Sequence, residues 1–225
     1  MKKIIEVLVL LSVIFVFPAW AAKSRPMSDE RFLKLSRLGP NRSIIAAINN
    51  GANVNARDKY GVTPLMYAAA TNRLEPVKAL VNAGADVNAA DAQNWTVLMY
   101  AAADFGDTRQ LIEFLIKAGA DVNAKDFRDY TVLMWFVTKG AEVDMLLKAG
   151  AAITINDQND EGKTSLIHAC TDNESTSPEV IAILIDAGAD VNIEDNYGKR
   201  AIDYARENKK LEGTDLLKRL EELSK

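Results

Sequence analysis

The sequence of 225 residues holds one cysteine and one histidine. A lone thiol can close no internal disulfide and build no thiolate zinc site, and a lone imidazole rules out a multi-histidine metal centre. A Gly-rich phosphate loop, a G-x-S-x-G elbow and an H-E-x-x-H stretch are all missing. The motif-bearing routes to nucleotide binding, serine esterase chemistry and zinc proteolysis go with them. Neither charge dominates: 27 basic against 31 acidic side chains leave −4, which offers no whole-protein attraction to nucleic-acid phosphate. Apolar residues at 48 % and charged residues at 26 % are the balance of a folded soluble chain of one or two domains.

Only one long apolar run occurs, and it lies at the start. Lys2 and Lys3 precede Val7 to Phe17, eleven residues with only Ser12 polar, and Pro18 ends the run before Ala19-Trp20-Ala21. Eleven residues are too few to span a bilayer, which takes about 20. A basic start, a short apolar core and small residues at two alternate positions instead make a secretory signal, with cleavage expected after Ala21. A retained interfacial anchor is the alternative. Cleavage would remove two lysines and one glutamate, taking the net charge from −4 to −5. Lacking a twin arginine, the segment reads as a bacterial Sec-type signal to the periplasm or beyond. No disulfide could then form in the mature chain, so packing alone must hold it.

What the rest of the chain has is a period. Gly51-Ala52-Asn53-Val54-Asn55 returns at Gly84, Gly119 and Gly188, with a worn copy at Gly150-Ala151-Ala152-Ile153-Thr154; the glycines are 33, 35, 31 and 38 residues apart. A second phrase keeps step with it: Thr63-Pro64-Leu65-Met66-Tyr67-Ala68, then Thr96-Val97-Leu98-Met99-Tyr100-Ala101, Thr131-Val132-Leu133-Met134-Trp135 and Thr164-Ser165-Leu166-Ile167-His168-Ala169. Thr63 is placed to cap a helix and Pro64 to start it. A second helix is expected over Leu74 to Asn82, closed by Gly84. One such pair cannot bury its own apolar face, so neighbouring copies must stack into a solenoid.

With these phrases the sequence resembles ankyrin repeats, over about residues 29–225. The resemblance implies an all-α solenoid of stacked helix–turn–helix units joined by β-turn fingers. Where the family's first phrase carries a histidine, this chain has Met66, Met99, Met134 and Ile167, which gives up a threonine–histidine hydrogen bond for adaptable apolar packing. The expected organisation is a signal over 1–21, a linker over 22–28, a capping helix pair over 29–58, four repeats over 59–195 and a second capping pair over 196–225. Within the caps, helices are expected over Asp29 to Leu38, Asn41 to Asn50, Ala201 to Glu207 and Leu211 to Leu223.

Candidate chemistry is sparse. His168 and Cys170 are two apart on one expected helix and so point to nearly opposite sides. Aligned on the repeat, they occupy the slots of Tyr67 and Ala69, which makes both packing residues. Asp157 to Gly162 begins like a calcium loop, but the position of its bidentate glutamate is His168. Asp58, Asp91, Asp126 and Asp195 recur at one repeat position as turn formers. No catalytic residue, cofactor or metal is expected, and the chain reads as a non-enzyme.

Repeat proteins bind through positions that vary while the framework repeats. In the turns before each threonine these are Lys59, Tyr60 and Val62; Gln93 and Trp95; Phe127, Arg128 and Tyr130; Lys163; and Tyr197 and Lys199. Val62, Trp95 and Tyr130 each immediately precede a threonine and should form one stripe, widened by Tyr60, Phe127 and Tyr197. Aromatics with interspersed Arg and Lys suit a protein-binding hot spot; packing between neighbouring turns is the competing explanation for Trp95 and Tyr130. Two insertions, Phe105 to Thr108 and Thr171 to Ser177, read as loops that contact a partner or act as spacers. The reading is a monomeric, non-enzymatic scaffold exported to the bacterial envelope, holding, inhibiting or protecting another protein. Alternatives are a secreted effector acting on host or competitor proteins, and a ligand carrier or enzyme using the groove. No nucleic-acid contact is expected, and no membrane contact once the signal is removed.

Overall fold

The computed structural model describes residues 26–103, 106–137, 140–171 and 176–225. The expected signal over 1–21 lies outside them. Among the described residues no helix is long and apolar enough to cross a membrane.

Twelve α-helices follow in chain order: α1 Asp29–Leu38, α2 Asn41–Asn49, α3 Pro64–Ala69, α4 Leu74–Asn82, α5 Val97–Ala102, α6 Arg109–Lys117, α7 Val132–Phe136, α8 Gly140–Lys148, α9 Ser165–Thr171, α10 Pro178–Asp186, α11 Ala201–Glu207 and α12 Asp215–Leu223, with a 3-10 turn at Ala151–Thr154 after α8. They stack as six antiparallel pairs in two layers. The odd-numbered helices form one layer, α1 on α3 and so on to α11, while α2, α4, α6, α8 and α10 pack in order in the other. Extended pairing is limited to the isolated bridges Ala90–Thr96 and Lys125–Thr131 among the described residues.

Each helix pair is built from the repeated phrases. Leu65, Leu98, Leu133, Leu166 and Ile202 hold one register position and are all essentially buried. Three residues on come Ala68, Ala101, Phe136, Ala169 and Ala205, also buried; a methyl there lets successive helices approach closely, and only α7 fills the slot with a ring. The hydroxyls of Thr63, Thr131 and Thr164 accept from the amides of Met66, Met134 and Ile167, satisfying free donors at three helix starts. Methionine returns part of what the family's histidine supplies. The Thr63 amide donates to Met66 Sδ at 3.4 Å, completing a reciprocal cap with a thioether.

The expected span of α4 is met, but α12 begins at Asp215 rather than Leu211. Thr214 stops it from extending backwards: its extended backbone and its hydroxyl, which accepts from Leu217, set the N-cap there. Of the first insertion, Thr108 is buried and donates to Glu142 in the next repeat, while the Asp107 carbonyl accepts from Asn72 in the previous one. Asp107 and Thr108 therefore clamp neighbouring repeats together, while Phe105 lies outside the described residues. In the second insertion Thr176 is also buried.

Candidate functional site

The turns that link successive pairs are five copies of one finger: Asp58 to Val62, Asp91 to Trp95, Asp126 to Tyr130, Asn159 to Lys163, and Asp195 to Lys199. In each, the first amide donates to the fifth carbonyl and the fourth amide to the first carbonyl, as in Asp58 to Val62 and Gly61 to Asp58. Oδ1 of the first residue accepts from the third and fifth amides of every finger. The fourth residue has positive φ: Gly61, Asn94, Asp129, Gly162 and Gly198. Glycine is required at Gly162 for a second reason, since a Cβ there would lie 2.6 Å from the backbone nitrogen of Asn196. Fingers are stitched in series by amide-to-carbonyl bonds from Ala92 to Tyr60, Phe127 to Gln93, Asp160 to Arg128 and Asn196 to Glu161.

The other oxygen of the first residue separates the fingers. In three of them Oδ2 accepts a tyrosine hydroxyl from the following helix: Tyr67 to Asp58 at 2.7 Å, Tyr100 to Asp91 at 2.7 Å and Tyr204 to Asp195 at 2.5 Å. Burial alone would raise the Asp58 carboxyl, but the Tyr67 hydroxyl and the Val62 and Tyr60 amides outweigh it and hold the carboxyl below its usual range. Asp195 is lowered by the same balance. Burial first, and then the carboxylate each one bonds, pushes Tyr67 and Tyr204 up to about 12.

The third and fourth fingers depart from this pattern. The slot of Tyr67 holds Trp135 beside Asp126, and His168 beside Asn159, where the Asn159 amide lies 3.1 Å from His168 Nε2. Trp135 cannot accept or donate as a hydroxyl does, and its indole N–H is buried without a partner. Its ring instead joins a file of rings. Centroids lie 5.6 Å apart for Tyr100 and Trp95, 4.5 Å for Trp95 and Trp135, 5.5 Å for Trp135 and Tyr130, and 5.1 Å for Tyr130 and His168. Aromatic pairs at such separations and tilts attract beyond their burial. Four of its rings, Trp95, Trp135, Tyr130 and His168, wall an open groove of about 460 Å³, with Gln93, Phe127, Asp126 and Arg128 completing its lining.

The sequence-predicted residues divide on this geometry. Val62 is 6 % exposed and packs on Met66 and Ala89, so it drops out of the expected stripe. Trp95 and Tyr130 are half-buried and both line the groove, but they meet through Trp135 between them. Gln93 and Phe127 line it from exposed positions, Phe127 at 59 %. Arg128 stands over Tyr130 at 5.4 Å and is drawn into the fourth finger by Asp160 at 2.9 Å and Glu161 at 3.0 Å. Lys163 is paired with Glu161, and Lys199 with Glu207. Lys59, Tyr60 and Tyr197 are exposed but outside the groove, Lys59 lying over the Tyr60 ring. His168, expected to pack, and Asp126, expected to form the turn, line the groove together with Trp135, which the sequence alone does not single out. The signal was present as a departure from the tyrosine slot.

The two groups that most suggested chemistry are unsuited to it. Burial pushes the Cys170 thiol up to about 12. Burial, with Lys163 and Arg128 nearby, pushes His168 down to about 4, leaving it neutral at pH 7. The stretch from Asp157 to Gly162 is the approach to the fourth finger and part of it, with its acids tied to Lys125, Arg128 and Lys163.

A family model described as ankyrin repeats in three copies matches residues 36–126, 98–195 and 133–222. The chain belongs to the ankyrin-repeat family. Ankyrin repeats are generally protein-binding scaffolds, and the groove here is built on ankyrin fingers. One similar solved structure is the predatory endopeptidase Bd0816 of Bdellovibrio bacteriovorus in complex with immunity protein Bd3460. The match has a TM-score of 0.72 and 27 % identity, over 87 % of this chain and 99 % of the matched chain. Ankyrin repeat protein EF0377 aligns with a TM-score of 0.73 and 25 % identity, over 87 % of this chain and 98 % of its own. Ankyrin repeat protein R664 of Acanthamoeba polyphaga mimivirus is 30 % identical over 60 residues, 27 % of this chain, and the match spans 37 % of that relative.

Proposed function

We propose that this ankyrin protein is an exported, non-enzymatic binding scaffold of the bacterial envelope, which holds another protein in the aromatic groove of its second and third fingers and thereby inhibits or protects it. The observation that carries the reading is the groove itself. Two framework positions change: the valine slot of Val62 holds Trp95 and Tyr130, the tyrosine slot of Tyr67 holds Trp135, and an exposed Phe127 joins them in the lining. Desolvated aromatic anchors beside arginine are the chemistry on which protein interfaces concentrate their energy. The immunity role is supported by likeness to a structure containing an endopeptidase and its immunity protein. Export is supported by Lys2-Lys3, the apolar run and Ala19-Trp20-Ala21.

The test is crosslinked capture from native periplasm, comparing wild type with Phe127→Ala. A defined periplasmic protein captured by wild type and lost with the variant is the expected result; equal capture by both contradicts use of the groove. In the same cells, mass spectrometry should find a chain beginning at Ala22 in the periplasm. Recovery from the medium instead would point to a secreted effector.

A further inference from the structure

The groove also carries information about what enters it. Asp126 is 4 % exposed, yet it lines the groove. Its Oδ1 is taken by the amides of Arg128 and Tyr130 at 2.8 and 3.0 Å. Its Oδ2 lacks the tyrosine hydroxyl that Asp58, Asp91 and Asp195 each receive, because the slot holds Trp135. The nearest cations in sequence, Lys125 and Arg128, are committed elsewhere, Lys125 to Asp157 and Arg128 to Asp160 and Glu161, and no ion pair to Asp126 is formed among the described residues. A carboxylate with one oxygen left unbonded therefore shares the groove lining with the rings of Trp95, Trp135 and Tyr130. Because Asp126 lines the open groove, this oxygen is within reach of an incoming cation.

We infer that the groove receives a lysine side chain of the partner protein, its ammonium on Asp126 Oδ2 and its methylene stem along the rings of Trp95 and Trp135. Three properties of the site select this occupant. Ring faces attract cations and pack alkyl stems equally well. The surrounding charge is negative, since Asp126, Asp129, Asp157, Asp160 and Glu161 outnumber Lys125, Arg128 and Lys163. And a single free oxygen suits a compact ammonium better than the two-pronged guanidinium of arginine, which prefers both carboxylate oxygens. This inference rests on the protein-binding reading of the same groove.

Two substitutions test it without disturbing the turn. Asn159 already occupies the equivalent position of the fourth finger and makes the same two amide bonds, at 3.0 and 2.9 Å, so Asp126→Asn should fold as wild type. Trp135→Tyr restores the pairing seen with Tyr67, Tyr100 and Tyr204, and closes Oδ2 with a hydroxyl. The probe is Nα-acetyl-lysine amide, with Nα-acetyl-norleucine amide as its uncharged counterpart, followed through the indole N–H signals of Trp95 and Trp135 by NMR. Saturable shifts are expected with the lysine amide alone, with affinity weakened about tenfold in Asp126→Asn, the weight of one charge-assisted bond. Trp135→Tyr, followed at Trp95, should weaken it comparably. No response, an equal response to norleucine amide, or unchanged affinity in both variants overturns the inference. Periplasmic capture separates the two levels. If both variants keep the partner while Phe127→Ala loses it, the lysine contact falls and the binding face stands. If lysine amide binds as expected but no form captures a protein, the binding reading falls by itself.

Discussion

Repeats two and three share a backbone and differ in what hangs on it. In repeat two the finger aspartate, Asp91, takes the Tyr100 hydroxyl, α5 presents Ala101 and Ala102 to its neighbours, and Asn88 reaches the next repeat, donating to the Gly119 carbonyl and accepting from the Asp121 amide. In repeat three Asp126 has no hydroxyl, α7 and the residue that caps it present Trp135, Phe136 and Val137, and the buried Asn123 Oδ1 has no partner. The last loss has a clear cause. The copy that Asn123 should reach is the worn one, Gly150-Ala151-Ala152, which turns into a 3-10 helix at Ala151–Thr154. The ladder resumes with Asn156, which accepts from the Asp190 amide. The departures of side chain thus fall together on the fingers that form the groove, while the backbone bonds of those fingers are unchanged. The groove is made by replacing framework side chains, not by altering the turn.

The comparison predicts where stability should and should not differ. The largest effects belong to the core that both repeats share. Leu98→Ala and Leu133→Ala are each expected to cost about 2–5 kcal/mol in urea unfolding, without a clear difference between them. If Leu133→Ala were nearly neutral, repeat three would be loosely packed and the comparison would break at its base.

Next comes the ring file. A stripe that only faced a partner would leave stability near wild type when Trp95 and Tyr130 are removed together. Their contacts with Trp135, Tyr100 and His168 revise that expectation to a loss of about 2–4 kcal/mol, less than for fully buried rings. This double variant is therefore a poor test of binding taken by itself.

The Asn ladder offers a finer contrast. Asn55→Ala removes two bonds between repeats, to the Gly84 carbonyl and from the Asp86 amide. It should cost about 1–2 kcal/mol, and Asn123→Ala distinctly less, by the same unfolding assay. Equal losses would mean that the worn copy leaves the ladder functionally intact.

Acid separates the fingers further. The folded carboxyls of Asp58 and Asp195 are held below the ordinary aspartate value of 3.8. Their contribution is fully present above that value and is lost as pH falls toward the lower folded one. Melting temperature should therefore drop below about pH 4, and Asp58→Asn with Asp195→Asn should flatten that acid limb. An unchanged limb would show that other carboxylates govern it.

The fold was legible because its determinants are local and repeated. Thr63 and Pro64 cap and start a helix, Gly84 ends one, and copies at a steady period must stack. The site was legible only in part. Phe127, Gln93 and Arg128 follow from their place in the finger, but Val62 points inward because Met66, Ala89 and Tyr67 close over it. Trp135 looked like core from its helical slot, and only three-dimensional placement brings its ring between Trp95 and Tyr130. That Asp126 lacks a hydroxyl is visible in the alignment of repeats once the bond between Asp58 and Tyr67 is known, and not before.

Phe127 and Tyr197 stand on different fingers with similar exposure, 59 % and 75 %, one at the groove and one away from it. Each should cost less than about 0.5 kcal/mol on replacement by alanine. The decisive measurement is the amount of partner recovered by periplasmic crosslinking with each variant at matched melting temperature. Loss with Phe127→Ala and retention with Tyr197→Ala is the predicted result; retention with Phe127→Ala, or equal loss with both, would contradict a binding face confined to the groove.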